Sequence, residues 1–459
     1  MPKPKIFSSL AIDARLTARG VDIMVNRQRY PVRFPSAVWA ATSPATRERL
    51  RDNLTYAATL FLPQIFGLPS VSYRTARPAV EPVLFKMGLY DQPVCAATDG
   101  KSSLQYVKNF FNTEYNFASN VLNIPGLPKS ADRKTLRPII LFSFGKESLL
   151  TFALCRRLGI EPQLVLINEP SNTHEFRHKR QLIARFEKQF QTTVHVVDYA
   201  PGWFRYGRAW GYQTELGWGV QLFEYCLLSL PFIERFAANT VLVGNEHSCN
   251  DWSWDKDGLR MYEAGYDQHS DYLPHQELAL SVLAGKQVRI MSLMEPLGEF
   301  AETLVLHAAF PELGRFQMSC FADTPAARHT RWCQHCFKCY YTFALLRAIG
   351  VDPATLGFTK NLFAKPNPVY DGLLHNHAGA RSFGDADELL LAFAWAARRG
   401  YHGRAMDKFR RKILPKAGRQ LADLERRVLT VHPANNLPAP LARRVRKIYQ
   451  AALAKARAA

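Results

Sequence analysis

RPIILFSFGKESLLTFALCRRLG, residues 137–159, is the stretch whose reading decides the fold. Its first part, RPIILFSF, is a short β-branched and aromatic run, apolar on both alternating faces, as in a strand buried on both sides. Its second part, KESLLTFALCRRLG, reads as a helix. The turn between them is Ser143-Phe144-Gly145-Lys146-Glu147-Ser148. A helix N-terminus offers unpaired N–H groups and the positive end of the helix dipole, a glycine lets backbone approach an anion, and hydroxyls add donors. Ser143, Gly145, Lys146 and Ser148 supply those parts. The plain alternative is a tight turn between strand and helix with no ligand.

Three more apolar runs follow: PQLVLINE (162–169), TTVHVVDY (192–199) and NTVLVGNE (239–246). Helical stretches separate them, THEFRHKRQLIARFEKQF (173–190) and GVQLFEYCLLSLPFIERFA (219–237). This alternation predicts an α/β domain over 135–350, a parallel sheet with helices on both faces. Ligands of such sheets bind beyond the carboxyl ends of the strands. Gly244, Asn245 and Glu246 after the fourth strand, and Ile167, Asn168 and Glu169 after the second, should therefore share a rim with the Ser143–Ser148 turn.

On either side the pattern weakens. Residues 1–134 hold aromatic, proline-punctuated segments such as VRFPSAVWAA (32–41) and FLPQIFGLPSV (61–71), read as a separate N-terminal α+β domain without an assigned role. Residues 351–459 read as a helical C-terminal region, with Asp385 as a cap before an apolar helix and HPANNLPAPLA (432–442) as a linker to a short basic helix.

The 459-residue chain is 47% hydrophobic, enough for a large core in two or three domains. Its start lacks the apolar region of a secretory signal and no stretch of about 18 apolar residues could span a bilayer, so a cytoplasmic location is the default expectation. The formal charge of +20 favours a polyanionic partner: nucleic acid, a membrane surface, or nucleotide-like substrates. Much of it lies in residues 401–459, with 15 Lys or Arg against 3 Asp or Glu. The oligomeric state is open.

Eight cysteines are too sparse for a disulfide scaffold, and four crowd between Cys320 and Cys339. Cys333, Cys336 and Cys339 form C-x-x-C-x-x-C, which with Cys320 supplies four thiolates for a structural, tetrahedral Zn²⁺. His335 could replace one ligand. An iron–sulfur cluster, or free cysteines at a helix start, are the alternatives.

The serine-bracketed turn is neither a Walker A loop nor a dinucleotide fingerprint. It resembles the S-G-G-x-D-S loop of the PP-loop ATP pyrophosphatases, a HUP-like fold, with Phe144 and Glu147 standing where that loop has glycine and aspartate. That resemblance implies ATP and Mg²⁺ as cofactors, a Mg²⁺ contact at Glu147, adenine beside Asn168, and nucleotide approached by Gly244 and Asn245. The late cysteines are similar to those of 7-cyano-7-deazaguanine synthase, a resemblance that implies zinc and covers only the α/β domain. The whole layout, with a large N-terminal domain, S-F-G-K-E-S, G-N-E and the late cysteines, resembles the MurL family of UDP-N-acetylmuramoyl-L-alanyl-L-glutamate epimerases. It implies adenylation of the terminal L-Glu carboxylate, removal and return of its α-proton, and hydrolysis to the D-Glu product with AMP and diphosphate, in peptidoglycan biosynthesis. The partner would be the UDP-linked muramoyl dipeptide.

An inverting proton transfer needs an acid and a base near the α-carbon. GNEHSCNDWSWDKDG offers His247, Cys249, Asp251 and Asp255 beyond the fourth strand, and YDQHSDY adds Asp267, His269 and Asp271. Each also reads as ordinary loop polarity. Two other classes stay open: a PP-loop enzyme acting in deazapurine synthesis or on RNA held by the basic tail, and a nucleotide sensor that has lost hydrolysis through Phe144 and Glu147.

Overall fold

The computed structural model describes residues 7–126, 135–170, 174–262, 264–322, 324–374, 386–418 and 420–458. Asp385, read as a cap, lies outside them.

The strands are β1 (Ala11–Thr17), β2 (Gly20–Val25), β3 (Gln28–Arg33), β4 (Ser70–Ala76), β5 (Glu114–Ser119), β6 (Pro138–Leu141), β7 (Gln163–Asn168), β8 (Val194–Tyr199), β9 (Thr240–Val243), β10 (Trp252–Trp254), β11 (Arg260–Tyr262) and β12 (Arg289–Ser292). The four strands expected from sequence are β6 to β9. Ten strands form one sheet in the order β12-β9-β6-β7-β8-β3-β2-β1-β4-β5, and β10 pairs with β11 separately.

Five strands, β12-β9-β6-β7-β8, run parallel. They bury side chains alternately on two faces. Ile139, Val165, Val241 and Ile290 enter one core; Ile140, Leu164, Leu166, Leu242 and Met291 enter the other. That alternation is why these runs look continuously apolar in sequence. The first core is covered by helices Pro44–Thr59, Gln221–Leu228 and Leu273–Ala284. The second is covered by Lys146–Arg157, Glu175–Phe190, Glu299–Ala309, Phe337–Ala348 and the helices beyond residue 386. The stretch 219–237, expected as one helix, is two, Gln221–Leu228 and Leu230–Arg235. Pro231 near the start of the second lacks the N–H that a continuing helix would use.

Residues before 127 extend this sheet. β3 pairs antiparallel with β8 through Val32↔Tyr199 and Arg33↔Asp198, and β2, β1, β4 and β5 follow outward. The chain visits β6, β7 and β8 in one direction, then returns to β9 on the other side of β6. Order therefore reverses between β6 and β9, which opens a crevice at their carboxyl ends. No helix among the described residues is long and apolar enough to cross a membrane.

Candidate functional site

The Ser143–Ser148 turn lies in that crevice, between β6 and helix Lys146–Arg157, whose N-cap is Gly145. Ser148 Oγ accepts from Ser143 N at 3.2 Å and donates to the Gly145 carbonyl at 3.2 Å, and Gly145 N donates to Ser143 Oγ at 3.1 Å. A methyl on Gly145 would stand 2.6 Å from Glu147 Oε2 and 3.1 Å from Ser143 Oγ, so a side chain there would displace the Glu147 carboxylate. Phe144 has φ of 62°, the left-handed region that glycine enters freely and a phenylalanine enters at a cost of about 1 kcal/mol. Its ring is fully buried against Phe142 and Phe186, and its carbonyl accepts from Met318 N at 2.8 Å, which holds the conformation.

Gly244, after β9, touches this loop. A Cβ there would stand 2.8 Å from Glu147 Cβ. Asn245 is a tie rather than an open donor: its side chain donates to the Gln268 carbonyl at 2.8 Å and its carbonyl accepts from Ser292 Oγ at 2.6 Å. Asn168 donates to Asp198 Oδ1 at 2.7 Å, joining the ends of β7 and β8.

Lys146 enters a cage of carboxylates. Its ammonium pairs with Glu147, with Glu299 at 3.1 Å, Glu302 at 3.5 Å and Glu246 at 3.8 Å. Lys146 is 4% exposed and Glu302 is 0% exposed. Burial opposes the ammonium, but the surrounding glutamates outweigh it and hold the Lys146 pKa well above the usual lysine range. Burial pushes Glu246 up to about 8, with Lys146 opposing and Glu299 and Glu147 reinforcing the rise. Glu302 rises well above the carboxylate range for the same reasons. Glu147 goes the other way: burial raises it, and the bonded Lys146 ammonium more than offsets that. One cation thus faces four carboxylates, and Glu302 Oε1 and Oε2 and Glu246 Oε2 are buried without hydrogen-bond partners.

Sequence reasoning misses Glu299 and Glu302. The signal is present as Glu-x-x-Glu at the start of a helix capped by Gly298, which puts both carboxylates on one face near the favourable end of the dipole.

The candidate proton-transfer residues lie on and just after the turn His247–Asn250. The His247 ring stacks on His432 at a centroid distance of 3.5 Å and 8° between planes. Burial lowers the pKa of both, that of His432 to about 4, so both imidazoles are neutral at pH 7. His432 belongs to the segment read as a linker. Here it is fastened beside His247, since His432 N donates to the Pro296 carbonyl and Asn436 donates to Glu295. Cys249 is buried, its thiol 3.5 Å from Gln268 Oε1, and burial with the nearby Glu246 raises its pKa well above the usual range. Asp251 is exposed. Asp255 accepts backbone N–H groups of Asp257 and Leu259 within a hairpin turn, and Asp267 accepts Leu222 N at 2.8 Å in the core, so both have structural work. The Nδ1 of His269 accepts Asp271 N at 3.1 Å within one turn.

The four cysteines come together. All four sulfurs of Cys320, Cys333, Cys336 and Cys339 lie within 4.8 Å of one another, with pairs at 3.5, 3.7 and 3.9 Å. Four thiolates bound tetrahedrally at about 2.3 Å have sulfurs roughly 3.8 Å apart, so the set could bind a single metal ion such as zinc. Backbone N–H groups of Ala322, Cys333, Gln334 and Cys336 point at the sulfurs at 3.2–3.3 Å, which steadies thiolate charge. His335 stands outside the set.

No protein-family model matches the chain, and no curated protein matches it either.

Proposed function

We propose that the chain is a PP-loop ATP pyrophosphatase that adenylates a carboxylate, and that it acts as a MurL-like epimerase on the terminal L-Glu of UDP-N-acetylmuramoyl-L-alanyl-L-glutamate. The observation that carries the first part is the convergence, at the β6/β9 reversal, of the Gly145-capped helix start with the cluster of Lys146, Glu147, Glu246, Glu299 and Glu302. A divalent cation held by Glu147, Glu246, Glu299 and Glu302 would neutralise triphosphate charge and position it for attack. The Ser143–Ser148 turn would cradle the phosphates through backbone N–H groups.

Adenylation also suits the second part chemically. A free carboxylate resists a second negative charge on its α-carbon, whereas an acyl adenylate behaves as an ester whose α-proton a modest base can take. Among the residues after β9, the neutral imidazole of His247 is suited to take that proton and the protonated thiol of Cys249 to return one. Asp251, exposed on the same segment, is the remaining candidate. The cysteine site would hold zinc and fix the segment around residue 320 to helix Phe337–Ala348, with no part in the chemistry. The second reading, adenylation in deazapurine synthesis or on RNA, draws on the exposed Arg443, Arg446 and Lys447 of helix Ala439–Ala458. Salt-sensitive RNA binding would favour it.

Ser148→Ala is the variant that tests the loop. Its hydroxyl serves only the turn, whereas Lys146→Ala would leave the buried Glu302 and the half-buried Glu147, Glu246 and Glu299 without their cation and destabilise the region. We expect at least about 10-fold slower substrate-dependent AMP and diphosphate release with little change in stability. Unchanged release removes the loop from the mechanism.

A further inference from the structure

Beyond the turn His247–Asn250 the chain forms the antiparallel hairpin β10-β11, which has no part in the lysine cage or the cysteine site. It is anchored at both ends. At its base, Asn250 Oδ1 accepts Ser270 N at 2.9 Å. At its tip, the Asp257 carboxylate accepts Ser102 Oγ and Ser103 N, each at 2.8 Å, tying the hairpin to the helix Ser103–Phe111.

In register, Trp252 faces Tyr262 and Trp254 faces Arg260. Alternate residues share a face, so all four lie on one side. Tyr262 is buried among Tyr90, Tyr266 and His269, whereas Trp252 and Trp254 are 43% and 60% exposed. The two indoles meet edge to face at 5.4 Å, and the Arg260 guanidinium lies 4.4 Å from one ring centre and 5.6 Å from the other. The polar contacts that tie the hairpin to the rest of the chain are made by Asn250 and Asp257, not by the indoles. Flat aromatic rings beside a fixed guanidinium match a ligand with a planar ring and an adjacent phosphate.

We propose that this face is the subsite for the nucleoside diphosphate end of the acceptor, with the base stacked on the Trp252 and Trp254 indoles and the diphosphate on Arg260. This rests on the reading that the acceptor is nucleotide-linked. The hairpin starts six residues after Glu246 in the chain, joined to it through the turn His247–Asn250. ATP would occupy the crevice itself, and the two nucleotides would have separate sites. The positive charge of the chain complements such an acceptor.

The test is calorimetric titration of the full chain with uridine 5′-diphosphate, uridine, inorganic diphosphate and ATP. Trp254→Ala and Trp252→Ala should weaken uridine diphosphate by about 5- to 100-fold, as loss of one stacking partner does, with ATP affinity unchanged. Trp254→Phe should restore most of the binding. Arg260→Ala should weaken uridine diphosphate and diphosphate but leave uridine as in the parent chain. No binding of uridine diphosphate to the parent chain, or equal binding in all variants, overturns the subsite. If the chain epimerises its substrate with the same KM in Trp254→Ala, the subsite fails and the epimerase reading stands. Tryptophan-dependent uridine diphosphate binding without epimerisation would instead support the subsite and remove the epimerase.

Discussion

Glu246 carries the clearest consequence of the caged lysine. Its carboxyl is pushed from 4.5 up to about 8 by burial, so the folded chain holds a proton there that the unfolded chain has released. The stability this gives is full below the unfolded value and is lost as pH rises through about 8. Glu246→Gln should therefore raise the unfolding midpoint at pH 8.5 by roughly 1–3 °C and leave it unchanged at pH 5. Millimolar Mg²⁺ should stabilise the parent chain at pH 8.5 and the variant less. Equal midpoints for parent and variant at both pH values, with no Mg²⁺ effect, would remove the under-neutralised cage. Phe144 shows the opposite balance. Phe144→Gly would relieve left-handed strain of about 1 kcal/mol but empty a ring site worth about 3–5 kcal/mol. A net loss of about 2–4 kcal/mol in denaturant unfolding is expected. A more stable variant would mean the ring does not hold the loop.

At the scale of elements, the cysteine site joins the segment around Cys320 to the start of helix Phe337–Ala348. Removing the ion should loosen that join. The purified chain should carry about one zinc, and a strong chelator should lower its unfolding midpoint by several degrees. Iron with sulfide, or a midpoint indifferent to chelation, would contradict this. The C-x-x-C-x-x-C spacing makes this site legible in sequence because its ligands are close along the chain. β6 to β9 are legible because both faces of each are buried. β12 is not: Arg289–Ser292 has only two apolar residues, Ile290 and Met291, between a charged and a polar one. Glu299 and Glu302 escape because two acidic residues three apart usually mark a solvated helix face. Only the approach of Lys146 from another helix makes them a site. His432 escapes for a similar reason, since a proline-rich linker carries no sign of the ring it will stack upon.

For the whole molecule, the five parallel strands and the five before residue 127 make one continuous sheet. Sequence can show the first set, whose neighbours follow each other with helices between. It cannot show that β3 pairs with β8, because no local pattern encodes a partner about 165 residues away. The proposed reaction would be a property of the assembled crevice. The most direct measurement is incubation of the full chain with UDP-N-acetylmuramoyl-L-alanyl-L-glutamate, ATP and Mg²⁺ in deuterium oxide, followed by chiral and mass analysis of the glutamate. An epimerase acting through an acyl adenylate gives D-Glu carrying deuterium at its α-carbon, formed only when ATP is present and accompanied by AMP and diphosphate. AMP and diphosphate released while the α-carbon keeps both its configuration and its hydrogen would contradict the epimerase and leave an adenylating enzyme of another kind.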